Sequence, residues 1–116
     1  MWRNILRVSV GLCIAHGLLT FGAGISFFRA DTVNMLAFVQ HGFTFIFIAL
    51  LNLVAWRQPR PPRWQCAVVH GCNLAFLAFG VVFTVFKPEP PLITSVVILL
   101  FLTIAAVGTD VSATRA

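Results

Sequence analysis

Four stretches of the chain, at 8–28, 32–56, 64–86 and 90–109, contain no Asp, Glu, Lys or Arg. Each is close to the roughly 20 apolar residues that a helix needs to cross about 30 Å of hydrocarbon. They are too long and too continuously apolar to be the alternating strands of a membrane barrel. A domain solvated by water carries about a quarter of its residues as charges. Here only 9% of 116 residues are charged, 59% are hydrophobic, and the mean hydropathy is +0.97. The expected fold class is therefore an all-α integral membrane protein, a four-transmembrane-helix bundle forming one domain over residues 1–116, with the lipid bilayer as its partner and solvent. The long charge-free runs and twelve Phe without a Tyr exclude a disordered chain and a disulfide scaffold. The net charge of +5 lies between the runs rather than on a basic face, so no nucleic-acid partner is expected.

The charges also set an orientation. Arg3 and Arg7 precede the first run, and Arg57, Arg60 and Arg63 fill the turn between the second and third. Lys and Arg are retained on the cytoplasmic side, which predicts an N-in/C-in protein of the cell inner membrane. The other two turns pair Arg29 with Asp31 and Lys87 with Glu89, as suits the outer side. Trp2, Trp56 and Trp64 then all fall at the cytoplasmic interface, where an indole keeps its ring in the apolar boundary and its N–H near water. A signal peptide also begins with basic residues and an apolar run, but the first run is long and lacks a small-x-small cleavage site before Asp31, which favours a resident helix. Asp31 and Thr32 are suited to cap the second helix. The prolines at 59, 61 and 62 preclude a helix across the arginine-rich turn.

Residues three and four apart share a helix face. In the first helix Ser9, Cys13, His16, Gly17, Thr20 and Gly24 form one small and polar stripe; Asn34, Ala37, His41, Thr44 and Asn52 do so in the second, and Cys66, His70, Asn73, Gly80 and Thr84 in the third. The fourth helix offers only Thr94, Ser95, Thr103 and Gly108, is otherwise mostly Val, Ile and Leu, and is expected to be the most lipid-exposed or to pack on a second subunit. Hydrocarbon offers no partner to an imidazole or amide, so the stripes are expected to face one another inside the bundle. At 1.5 Å per residue, His16 lies about 12–15 Å from one edge and His41 about 13 Å from the other, near a common midplane, with His70 shallower at about 9 Å.

This seam supports three classes of function. The leading expectation is binding or transport of a small neutral or amphiphilic solute, with His16, Thr20, Asn34, His41, Thr44, Asn52, His70 and Asn73 as candidate contacts; four helices enclose little space, so transport implies a homo-oligomer or a membrane-protein partner. The second is a redox anchor for haem b or quinone. His16 and His41 match in depth as axial ligands, and Gly17, Gly24 and Gly42 offer room for a macrocycle. A soft-metal variant of this reading uses Cys13, Cys66 and Cys72 as thiolates beside the histidines. The third is a structural accessory subunit, in which the seam is interhelical glue. No catalytic residues are assigned: no acidic residue stands within a charge-free run to orient an imidazole, and a hydrolase is disfavoured.

Overall fold

The computed structural model describes residues 1–115, and four helices account for most of them: α1 (Trp2–Phe27), α2 (Thr32–Trp56), α3 (Arg63–Phe86) and α4 (Pro90–Arg115). All four are long and apolar enough to cross a membrane. They run up and down in a bundle with extents of 53 × 24 × 24 Å. α1 packs on α2 and α4, α3 packs on α4, and α2 meets α3 over a shorter stretch. One end of the bundle therefore carries the start of α1, the turn between α2 and α3 and the end of α4, and with them six of the eight Lys and Arg.

Two helices outrun their apolar runs. α1 begins at Trp2 rather than near residue 8, and α4 continues past residue 109 to Arg115. Charge marks where hydrocarbon would end, whereas a helix ends where its backbone bonding is interrupted. Neither 2–7 nor 110–115 holds a Gly or Pro that would do so. Arg3, Arg7 and Asp110 thereby become helical residues. Arg3 also closes the end of α2: its guanidinium donates to the Trp56 carbonyl at 2.6 Å, to Pro59 at 3.1 Å and to Gln58 at 3.3 Å, partnering carbonyls that the helix leaves free. At the other end Asp31 caps α2, its carboxylate accepting from the Asn34 backbone N–H at 3.2 Å. Pro90 and Pro91 occupy the first turn of α4, where a missing N–H costs nothing.

Glycine sets the α1–α2 contact. A Cβ added at Gly17 would lie 2.7 Å from the Gly42 carbonyl oxygen, and one at Gly42 would lie 2.6 Å from the Gly17 carbonyl oxygen. Gly24 sits in the same way against Phe38 and Met35. The backbones thus touch, as small residues permit at membrane helix interfaces. Gly11, Gly22 and Gly71 have nothing within 4 Å of an added Cβ. Gly11→Ala, Gly22→Ala and Gly71→Ala should therefore each leave stability unchanged or raise it by up to about 1 kcal/mol through helix propensity, as thermal unfolding followed by circular dichroism will report.

The fourth helix departs from expectation. It is the most enclosed of the four, with 39% of its most apolar window buried against 17% for α3. Its inward face consists of Ser95, Leu99, Leu102, Thr103, Ala105, Ala106 and Thr109. Small residues recur there at helical spacing and let α1 and α3 approach; apart from Leu99 and Leu102, the Val, Ile and Leu content that suggested lipid exposure lies largely away from this face.

Candidate functional site

Ser95 is the centre of the most distinctive polar cluster. It is 2% exposed on α4, and its hydroxyl lies 2.8 Å from His16 Nε2 on α1 and 3.0 Å from His41 Nε2 on α2. The hydroxyl also lies 2.8 Å from the Pro91 carbonyl oxygen, one turn back in its own helix. A serine hydroxyl has one proton to give and two lone pairs. All three contacts are hydrogen bonds under one assignment only: Ser95 donates to Pro91, and both histidines donate to Ser95 through Nε2–H. Each imidazole is then the Nε2–H tautomer, with Nδ1 an open acceptor.

The rings meet nearly at right angles, with centroids 5.8 Å apart and planes at 80°, and Phe45 packs on both at 4.6 and 4.8 Å. Neither Nδ1 has a hydrogen-bond partner among the described residues, and neither is sealed from the surface. Ser95→Ala would remove the shared acceptor and strand two N–H groups. Interhelical bonds in membranes average roughly 0.6 kcal/mol each, so we expect a loss of about 1–2 kcal/mol, read as a shift in detergent unfolding.

An open groove runs along α2 beside His41, and its lining includes none of His16, His41 and Ser95. It has a volume of about 630 Å³ and is walled by Leu36, Phe43 and Phe47 of α2 and Phe76 of α3, with Gln40 and Thr44 as its polar members. Gln40 and Thr44 flank His41 along α2, on the side where α3 stands away.

Towards the arginine-rich end the interior closes. Asn52 and Asn73 are both 0% exposed and pair reciprocally, Asn52 Nδ2 donating to Asn73 Oδ1 at 2.8 Å and Asn73 Nδ2 to Asn52 Oδ1 at 3.0 Å. Asn52 Nδ2 gives its second proton to the Ile48 carbonyl at 2.9 Å, which fixes the amide orientation. Ile48, Val69 and Leu102 are likewise fully buried in the core.

Nearer that end, His70 Nε2 lies 2.9 Å from Asp110 Oδ2, and the exposed Arg63 approaches Oδ1 at 3.4 Å. A carboxylate only accepts, so His70 is held as an Nε2 donor. Its ring lies tilted against Trp56 with centroids 5.6 Å apart, and two sealed atoms there, Trp56 Nε1 and His70 Nδ1, have no partner among the described residues. Asp110 supplies the carboxylate that the sequence reading had placed outside the helices.

The candidate contacts thus separate. His16 and His41 come together, as do Asn52 and Asn73, while His70 pairs with Asp110. Asn34 is exposed at the far end and bonds the Asp31 carboxylate at 2.6 Å. Thr20 and Thr44 donate to carbonyls one turn back in their own helices, at 2.7 and 2.9 Å. Cys13 and Cys66 are buried and Cys72 is half-buried; all three are free thiols. Among the described residues no three His, Cys, Asp or Glu side chains converge as a metal-ligand set. The room that Gly17, Gly24 and Gly42 leave is taken up by the α1–α2 contact rather than by a slot for a macrocycle, and an iron bound to both Nε2 atoms would have to replace the Ser95 hydroxyl.

Gln40 is a residue that sequence reasoning missed, and Ser95 is one that it noted in the fourth helix without making it a contact. The signal for Ser95 was present: 95, 99, 102, 106 and 109 recur every three or four residues and include Ser, Ala and Thr. Comparison with protein-family models, curated proteins and solved structures returned no match.

Proposed function

We propose that the protein is a multi-pass inner-membrane protein, with both termini and the arginine-rich turn in the cytoplasm, that binds a small neutral or amphiphilic solute bearing a hydrogen-bond donor. The observation that carries this reading is the pair of open Nδ1 acceptors on His16 and His41, held in place through Nε2 by Ser95. A polar atom in hydrocarbon without a partner is costly. The Asn52–Asn73 pair meets its own demand, whereas the two imidazoles retain one acceptor each. The groove walled by α2 and Phe76 lies beside His41 along α2 without being lined by either histidine; in this reading it takes the apolar body of the solute, with Gln40 and Thr44 as its polar members, the usual mixture of a small-molecule site.

Binding needs one bundle only. Carriage across the membrane would need an oligomer, because a single bundle holds Asn52, Asn73, Ile48, Val69 and Leu102 fully buried in its interior.

The test compares tritiated 1-naphthol with its methyl ether on purified protein in lipid nanodiscs, each corrected against empty nanodiscs. Saturable naphthol binding is expected, with the ether about tenfold weaker for want of one hydrogen bond of roughly 1.4 kcal/mol. His16→Phe and His41→Phe should abolish the difference. Equal binding of the two compounds by the unaltered protein would refute the reading, whatever the variants do.

A further inference from the structure

A second groove lies on the opposite side of the bundle, between the start of α1 and the end of α4, with a volume of about 490 Å³. Gly108 creates it. A Cβ at Gly108 would collide with the Trp2 ring, so only glycine lets the indole lie against α4 as a wall. Along α4 the lining begins at Thr103, whose hydroxyl is bonded to the Leu99 carbonyl of its own helix, continues with the apolar Ile104, Val107 and Val111, and ends with the Ser112 hydroxyl and the Arg115 guanidinium. At 1.5 Å per residue, Ile104 to Arg115 spans about 16 Å of helix, so the apolar part would lie among acyl chains and the cationic part at the headgroups. Arg115 makes no hydrogen bond or ion pair among the described residues, and the Trp2 indole N–H is likewise unbonded and not sealed.

We propose that this groove binds one anionic phospholipid, its acyl chain along Ile104 and Val107 and its phosphodiester between Arg115, Ser112 and the Trp2 N–H. Two observations select this occupant. The lining passes from apolar to cationic in the direction a lipid runs from tail to headgroup. The surrounding end of the molecule also carries Arg3, Arg7, Arg57, Arg60, Arg63 and Arg115 against Asp110 as its one acidic residue among those described, so an anion is favoured over a zwitterion. Basic pockets between membrane helices on the cytoplasmic side are suited to such headgroups, at about 1 kcal/mol per basic residue. The groove is separate from the His16–His41 cluster, and the proposal does not depend on the solute reading.

The experiment is native mass spectrometry of the delipidated full chain, titrated with phosphatidylglycerol or phosphatidylcholine of identical acyl chains. Arg115→Gln is compared with Arg7→Gln, which removes the same charge from an exposed residue at the same end that does not line the groove. The unaltered protein should retain one phosphatidylglycerol in preference to phosphatidylcholine. Arg115→Gln should cut that preference roughly fivefold, the equivalent of about 1 kcal/mol, and Arg7→Gln, which weakens only the surrounding field, should lower it by clearly less. Val107→Trp, which fills the groove, should lower retention of both lipids. No preference for phosphatidylglycerol would overturn the site, as would equal losses in the two arginine variants.

Discussion

Gly42→Ala is expected to push α1 away from α2 and to destabilise the protein by about 1–3 kcal/mol, the range for overpacking a tight contact. The atoms that its new methyl group would meet are the Gly17 carbonyl oxygen at 2.6 Å, the Phe21 nitrogen at 2.9 Å and the Phe21 Cβ at 3.0 Å. None is the far end of a flexible side chain, so the helices themselves must separate. Alanine's better helix propensity returns at most about 1 kcal/mol. Gly42→Leu should exceed the alanine loss. Gly17→Ala is expected to be milder, because Ile46 Cγ1, one of its near contacts at 2.8 Å, can rotate. The two alanine changes act on one helix separation, so their combination should cost less than the sum. His16 and His41 flank these glycines, so naphthol binding should weaken alongside stability. Thermal unfolding of the two single variants and the double variant checks the first claim, and additive losses would show that the two glycines do not share a contact.

The second large effect concerns the amide pair. Asn52→Leu strands both Nδ2 and Oδ1 of Asn73, whereas Asn73→Leu strands Oδ1 of Asn52 but leaves its Nδ2 on the Ile48 carbonyl. A stranded buried polar group costs about 1–3 kcal/mol. Asn52→Leu should therefore be the more damaging, at about 2–3 kcal/mol, with Asn73→Leu nearer 1 kcal/mol because one group fewer is stranded. The double variant Asn52→Leu/Asn73→Leu leaves no stranded group and should be more stable than Asn52→Leu alone. Unfolding in sodium dodecyl sulfate across this cycle measures the coupling; a double variant at the sum of the single losses would contradict the reciprocal pair.

The architecture was legible because charge-free runs are long-range statements about solvent, and no local detail was needed to see four helices of membrane-crossing length. Helix ends were less legible: Trp2 to Arg7 and Asp110 to Arg115 are polar enough to leave hydrocarbon yet contain nothing that stops a helix. Pairing was less legible still. The stripes identified His16, His41, Asn52 and Asn73 as inward, but which residue met which depended on helix order and rotation, and these follow from where glycine and alanine permit contact. Ser95 was not made a contact because a serine in an apolar helix bonds its own backbone as readily as a neighbour. Asp110 was missed by one residue, as the apolar run stops at 109 while the helix carries the carboxylate to His70. Asn34 shows the converse: it was read from its place on a polar stripe, while its bond is to the capping Asp31 three residues before it.

The central claim is that one serine hydroxyl holds two membrane histidines by Nε2 and leaves both Nδ1 atoms free for a guest. Nitrogen-15 magnetic resonance of histidine-labelled protein in lipid bilayers, assigned with single histidine variants, reads the proton position on each ring. The account predicts protonated Nε2 and bare Nδ1 on both His16 and His41, with both rings perturbed in Ser95→Ala. A proton on Nδ1 of either ring with Nε2 bare would contradict it.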